Sequence, residues 1–292
     1  EPARVIELLG ARKIRAVPTG LDHGTITAIP EHRPFEITTL RQDVETDGRR
    51  AAVKFTHDWS VDAGRRDFTM NALSADPDGT VYDYVGGLPD LRAGRVRFIG
   101  DAAERIAEDY LRILRFFRFH ANYASTVPDG EALQACRDAA THVEKLSGER
   151  VWQEMARILV VVEPMQVFAL MEEARILRLL LPVGRSTSRL QAMAALEGML
   201  KVAPEPVRRL TALIQPNRQE ASQIATRLRL SRADTSRLDN LSASRGESRA
   251  GMPELALRRS LYMLGVDFFQ DLILLDWADQ IARDPSVAAG NI

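Results

Sequence analysis

Three stretches of this 292-residue chain gather Arg, Asp and Gly beyond what packing asks for. The first is Arg65-Arg66-Asp67-Phe68-Thr69-Met70-Asn71-Ala72-Leu73. Adjacent guanidinium groups at the edge of a buried apolar run suit a polyphosphate, and a neighbouring Asp or Asn suits ribose hydroxyls. The ordinary alternative is an Arg–Asp surface bridge worth under about 1 kcal/mol. The second is Glu108-Asp109-Tyr110-Leu111-Arg112-Ile113-Leu114-Arg115-Phe116-Phe117-Arg118. Asp109 and Arg112 are three apart, which on a helix sets one acceptor beside several donors. Cytosine and adenine each show an amino donor beside a ring-nitrogen acceptor and match that pair. Uracil and guanine place a carbonyl where the amino group would be, so it would face the carboxylate unpaired. A plain helical salt bridge competes for the same spacing. The third stretch, Asp83–Leu91 continuing to Arg97–Asp101, contains Gly86-Gly87. Paired glycines serve positive φ or close backbone approach, so this stretch reads as a structured turn.

The elements that must hold these stretches change character along the chain. Ala3–Leu9 has helical spacing, and Thr25–Ile29, Phe35–Leu40 and Ala51–Phe55 are Thr-, Ile- and Val-rich runs separated by turn residues. Asp47-Gly48 marks a hairpin turn, and Asp76-Pro77-Asp78-Gly79 marks another leading into Thr80–Val85. From Ala102 onward apolar residues recur at spacings of three and four. Leu111, Leu114, Phe117 and Ala121 form one such face, and Val151, Met155, Ile158 and Leu159 another. Seven prolines from Pro128 to Pro253 punctuate the helices. The expected fold is α+β with segregated elements, divided into residues 1–85, 86–160 and 161–292.

Composition narrows the classes. With 45% hydrophobic and 27% charged residues and a net charge of −1, the chain is neither disordered nor uniformly basic. Its longest apolar runs, such as Ile158–Val162, are far below the ~20 residues of a bilayer span, and its first ten residues lack a secretory apolar region. Membrane insertion is therefore not expected. A single cysteine, Cys136, excludes an intrachain disulfide and points to a reducing cytoplasm. Only four of 39 basic residues are Lys. Arg offers a planar fork for phosphates and base edges, although codon bias would give the same count. Residues 201–260 hold 12 basic and 6 acidic residues, which fits either a phosphate-tracking surface or a solvated helical face.

Taken in series, seven stretches resemble the class II tRNA nucleotidyltransferase (CCA-adding enzyme) and bacterial poly(A) polymerase family. They are Pro18-Thr19-Gly20 with His23-Gly24-Thr25, Phe35–Arg41, Asp47-Gly48-Arg49, Arg65–Leu73, Asp83–Leu91, Glu108–Arg118 and Gly148-Glu149-Arg150. The run covers roughly residues 15–160, whereas 161–292 show only generic helical likeness. The resemblance implies a small palm-like nucleotidyltransferase head, incomplete at its N-terminus, over 1–85. A helical neck with a nucleotide-recognition helix (86–160) and a tRNA-binding body and tail (161–292) would follow. It implies template-independent addition of C, C and A to the 3′ end of tRNA. The 3′-hydroxyl would attack the α-phosphate of CTP or ATP, pyrophosphate would leave, and Mg²⁺ would assist.

By the same resemblance Arg66 and Asp67 would contact nucleotide from the head, and Asp109 and Arg112 would read the base edge. Arg115 and Arg118 match further nucleotide contacts. Arg118 would lie about 180° from Asp109 on an ideal helix. Asp47, Gly48 and Arg49 belong to a flexible loop that helps the switch from C to A. Arg150 and Glu154 match a motif that braces the neck. Glu36 matches a third acidic position near the family's metal site. The main Asp-x-Asp carboxylates of that site are expected upstream of Glu1, so no metal ligand set is assigned within the sequence. Asp76-Pro77-Asp78 sits at the wrong place in the motif order and reads as a turn. Poly(A) polymerase, a CC- or A-adding enzyme and a catalytically inactive tRNA-binding protein are the alternatives.

Overall fold

The computed structural model describes residues 1–47, 50–244 and 252–286. Contacts divide the chain into two compact units, Glu1–Asp109 with Ser125–Ala132, and Tyr110–Ala124 with Leu133–Ile292.

The first unit opens with helix α1 (Pro2–Ala11), whose Pro2 sits where the missing amide N–H costs nothing. Strands β1 (Arg15–Gly20), β2 (Thr25–Ile29) and β3 (Phe35–Thr38) form an antiparallel sheet in the order β1-β2-β3. Ala16 lies opposite Ala28, and Thr27 opposite Glu36. Ile26 and Ala28 are buried while their neighbours are half-exposed, so β2 keeps the period of two that its sequence suggested. Strand β1 was not foreseen. Its Pro18 argues against a central strand, but β1 is an edge, where a missing donor is tolerated.

Strands β4 (Arg41–Asp47) and β5 (Arg50–Phe55) make a second antiparallel pair, with Asp47 opposite Arg50. After α2 (Trp59–Gly64) come the short strands β6 (Ser74–Ala75) and β7 (Val81–Tyr82). The turn between them is the one expected at Asp76–Gly79: Gly79 has φ +91, and the Asp78 carboxylate accepts from the Thr80 amide at 2.9 Å. Helices α3 (Gly87–Arg92) and α4 (Ala102–Glu108) complete the unit. Its centre is Phe68 against Phe98, ring centroids 4.8 Å apart.

The remainder is helical: α5 (Leu111–Tyr123), α6 (Gly130–Asp138), α7 (Gly148–Leu159), α8 (Pro164–Glu173), α9 (Ile176–Leu180), α10 (Thr187–Leu200), α11 (Pro206–Ile214), α12 (Arg218–Leu228), α13 (Arg232–Ala243), α14 (Glu254–Leu264) and α15 (Val266–Arg283). Leu114, Phe117, Val151, Met155, Ile158 and Leu159 are buried as their periodicity required. Among the described residues all strands thus lie in the first unit, a segregated α+β fold, and no helix is long and apolar enough to cross a membrane.

The loop ahead of α7 shows why Gly148 is a glycine. A Cβ there would stand 2.3 Å from the Arg227 carbonyl oxygen and 2.8 Å from the Leu228 carbonyl carbon. Only a bare Cα lets the start of α7 meet the end of α12 this closely. Arg227 reinforces the contact by donating to the Leu146, Val143 and Glu144 carbonyls at 3.2–3.3 Å.

Candidate functional site

Arg65 and Arg66 converge on one acid that the sequence reading did not single out. Asp62, one helical turn upstream in α2, is buried. Its Oδ1 accepts from Arg65 Nε and Nη2 at 2.9 and 2.7 Å, and its Oδ2 from Arg66 Nη2 at 3.2 Å. The Arg41 amide adds a further bond at 3.1 Å. Burial opposes the charge on Asp62, but these donors prevail and hold its carboxyl below the usual range. Arg66 Nη1 also donates to the Asn71 carbonyl at 3.2 Å, and about 40% of its side chain stays open to solvent. Asp67 is buried and turned inward, accepting from the Phe68 amide at 3.0 Å and from Asn71 Nδ2 at 2.9 Å. The Arg–Asp bridge weighed at this segment is made by Arg65 and Arg66 to Asp62.

The glycine-bearing turn supports this cluster from behind. Asp83 accepts from the amides of Val85, Gly87 and Leu88 at 3.2, 2.8 and 2.9 Å, holding the turn shut. Gly86 has φ +79, and a Cβ on Gly87 would lie 2.2 Å from the Thr69 carbonyl oxygen. Asp90, buried on α3, then accepts from Thr69 Oγ1 at 2.6 Å, Arg95 Nε at 2.8 Å and Arg97 Nε at 2.9 Å. Burial disfavours its charge, yet the hydroxyl and the two guanidiniums hold its pKa below the ordinary carboxylate value.

Asp109 does not share a helix with Arg112. It ends α4 in extended conformation, φ −156 and ψ 106, and α5 begins only at Leu111. Both the one-face geometry and the 180° separation from Arg118 assumed an unbroken helix. The chain breaks that helix between Glu108 and Leu111, and Asp109 serves as the cap residue instead. Arg112, Arg115 and Arg118 do lie on α5, three apart. They are the half-exposed line of a helix whose other residues from Leu111 to His120 are buried.

Arg118 Nε donates to Glu154 Oε2 at 2.5 Å, and Arg115 Nη1 lies 3.8 Å from Glu154 Oε1. Both guanidiniums also sit over the Phe119 ring, at 4.6 and 5.6 Å from its centroid. Glu154 is buried on α7, so one carboxylate and one ring fix the orientation of two arginines. Tyr110 stacks on His142, centroids 4.0 Å apart.

No group of three His, Cys, Asp or Glu that could hold a metal exists among the described residues. Glu36 is exposed on β3, opposite Thr27. Asp76 and Asp78 are engaged in their turn. Gly48 and Arg49, assigned to the flexible loop, lie outside the described residues, while Asp47 pairs with Arg50 at the end of β4.

A second charged cluster escaped the sequence reading altogether. Arg208 and Arg209 on α11 are buried, although they count toward the basic excess of residues 201–260. Arg208 bonds Glu197 at 2.5 Å and Asp271 at 2.9 Å, and Arg209 bonds Glu197 at 2.6 Å. Arg209 also donates to the carbonyls of Leu159 and Val161 at 2.7 and 2.6 Å, at the end of α7. The partners are 11 to 63 residues away, so no local spacing announces them.

The chain thus joins a small antiparallel sheet unit carrying an Arg–Asp cluster to a long helical run. Residues 1–97 match the poly A polymerase head domain, and residues 128–186 match the probable RNA and SrmB-binding site of polymerase A. The chain is 51% identical over 143 residues to the mitochondrial CCA tRNA nucleotidyltransferase 1 of Danio rerio, covering 48% of this chain and 33% of that protein. It is 42% identical over 147 residues to the CCA-adding enzyme of Streptococcus sanguinis, covering 50% of this chain and 37% of that protein. These matches span only about a third of the relatives' length.

In fold, the chain is similar to the Bacillus stearothermophilus CCA-adding enzyme solved with CTP (TM-score 0.70, 22% identity, 93% of this chain and 65% of that one). It is also similar to the Thermotoga maritima CCA-adding enzyme solved with tRNA (TM-score 0.65, 17% identity, 99% and 71%). Over residues 1–97 and 128–186 the chain is thus similar to the tRNA nucleotidyltransferase and poly(A) polymerase family.

Proposed function

We propose that the protein adds C, C and A to the 3′ end of tRNA from CTP and ATP by nucleotidyl transfer. The observation that carries this reading is α5, whose half-exposed line is three arginines, two of them oriented by Glu154 and Phe119. Relatives named as CCA-adding enzymes, and solved neighbours carrying CTP or tRNA, point the same way. In this reading residues 1–85 are the head, 86–160 the neck, and 161–292 the tRNA-binding body and tail. Arg66 meets the nucleotide from the head, with Asp67 ordering the segment behind it, and Asp109 and Arg112 discriminate the base edge. Arg115 and Arg118 add positive charge where phosphates pass. The loop at Asp47–Arg49 assists the change from C to A.

Magnesium is the metal this chemistry calls for. The described residues do not by themselves make a site for it, since Glu36 stands without two further acids. The remaining carboxylates would have to come from outside them. A reducing compartment, the cytoplasm, fits the single Cys136, which is buried and whose thiol pKa is raised by that burial.

The test uses protein expressed from its natural start, Mg²⁺ and a tRNA transcript ending just before CCA, with labelled CTP and ATP supplied separately and together. Arrest after three additions supports the reading, and arrest after two makes it a CC-adding enzyme. An untemplated A ladder makes it a poly(A) polymerase. Binding of tRNA without any extension makes it an inactive RNA-binding relative.

A further inference from the structure

The first unit holds a cavity of about 270 Å³ that the reading above does not use, lined by Trp59, Ser74, Ala75, Asp76, Tyr82 and Tyr84. Its three aromatic residues are 51, 39 and 42% exposed, an unusual investment of ring surface in contact with water. The walls are held in place. Trp59 opens α2, where the Asp58 carboxylate caps the helix through the Ser60 amide at 2.8 Å. Tyr82 lies on β7 and donates its hydroxyl to Asp76 Oδ2 at 2.7 Å. Tyr84 is anchored by its neighbour Asp83, which is bonded to three amides of the glycine turn. The Asp76 Oδ1 atom has no partner among the described residues, and no guanidinium or ammonium of those residues lies over the three rings.

The lining selects among ligands. A stacked nucleotide brings phosphates that need basic neighbours, and this lining holds none, only a carboxylate. A neutral apolar group would bury that carboxylate without a partner. A guanidinium brings five donors in a fixed planar fork, and the lining meets them with a single carboxylate, one oxygen of which already accepts from Tyr82, and with hydroxyls. An alkylammonium asks for less: ring faces around its CH groups and one counter-ion. We infer that this cavity is a binding site for an alkylammonium group, with Trp59, Tyr82 and Tyr84 as its walls and Asp76 as its counter-ion. A free polyamine and a lysine side chain of another protein present the same chemistry.

Isothermal titration of the full chain at constant ionic strength separates the outcomes, using spermidine, Nα-acetyl-lysine methylamide and Nα-acetyl-arginine methylamide as probes. Saturable heat with spermidine alone identifies a free polyamine, and heat with the lysine derivative identifies a protein side chain. In either case Asp76→Asn and Trp59→Ala should each weaken binding about tenfold, and Trp59→Phe should restore most of it. Circular dichroism confirms that each variant is folded. The half-exposed Tyr84→Leu serves as a second wall variant should Trp59→Ala unfold. The inference is overturned if neither amine gives saturable heat, if the folded variants bind as the parent does, or if the arginine derivative binds more tightly than the lysine one.

Discussion

Glu154→Gln tests whether the arginine line on α5 is held by charge or only by packing. The substitution keeps shape and an acceptor for Arg118, and removes one negative charge from a side chain that is 5% exposed. Breaking a buried pair by deleting one partner costs about 3–5 kcal/mol, because a charge is left behind without compensation. Here the abandoned charges are only partly buried: Arg118 is 14% and Arg115 28% exposed, and both retain the Phe119 ring face. Solvent access and that ring recover part of the loss, which brings the expected cost down to about 2 kcal/mol. At ~2–4 °C per kcal/mol for a unit of this size, the melting temperature should fall by about 4–8 °C.

Trp152 and Trp277 report on the second unit and Trp59 on the first, so near-ultraviolet circular dichroism and tryptophan fluorescence follow the loss where it occurs. Arg118→Gln in the Glu154→Gln background should cost less than the sum of the single changes, giving a coupling of about 1–3 kcal/mol. An unchanged melting temperature in Glu154→Gln, or additive single and double effects, would refute the claim that the carboxylate orients the arginines. Packing against Phe119 would then be the sufficient cause.

Asp109→Ala should relax the choice among nucleotides or abolish addition while leaving the chain folded; a large fall in stability with unaltered choice would make Asp109 a structural cap alone. Asp90 has a folded pKa below its unfolded one, so its stabilisation is complete above the ordinary carboxylate range and drains away as pH falls through the lower, folded value. Acid titration of Asp90→Asn should therefore show a flatter loss of stability below about pH 4 than the parent, whereas parallel curves would contradict the network drawn around Asp90. Gly148→Ala should destabilise by about 1–3 kcal/mol in urea, since its new methyl meets backbone rather than a yielding side chain.

Much of this architecture was readable from residue types. The period-two run at Thr25–Ile29, the Asp-Pro-Asp-Gly turn and the apolar faces of α5 and α7 each obey local rules, and each formed as its pattern demands. The local arithmetic failed where long-range contacts decide. Spacing alone placed Asp109 and Arg112 on one helix, but nothing local revealed that α4 ends at Glu108 and that Asp109 turns extended. Asp62 was within reach of sequence reasoning, standing three and four residues before Arg65 and Arg66, a spacing that on a helix brings all three together. Glu197, Arg208 and Asp271 were not, because their partnership spans helices far apart in the chain.

That last cluster changes what the arginines of residues 201–260 can do for a polyanion. Each phosphate neutralised at a surface frees condensed counterions, and the salt dependence of binding records how many. Arg208 and Arg209 are enclosed with Glu197 and Asp271, acids that lie outside the segment, and they free none. Measured against salt, binding of an RNA along this region should show a shallower slope than twelve basic residues suggest, by about 0.7 for each arginine withdrawn from a single strand.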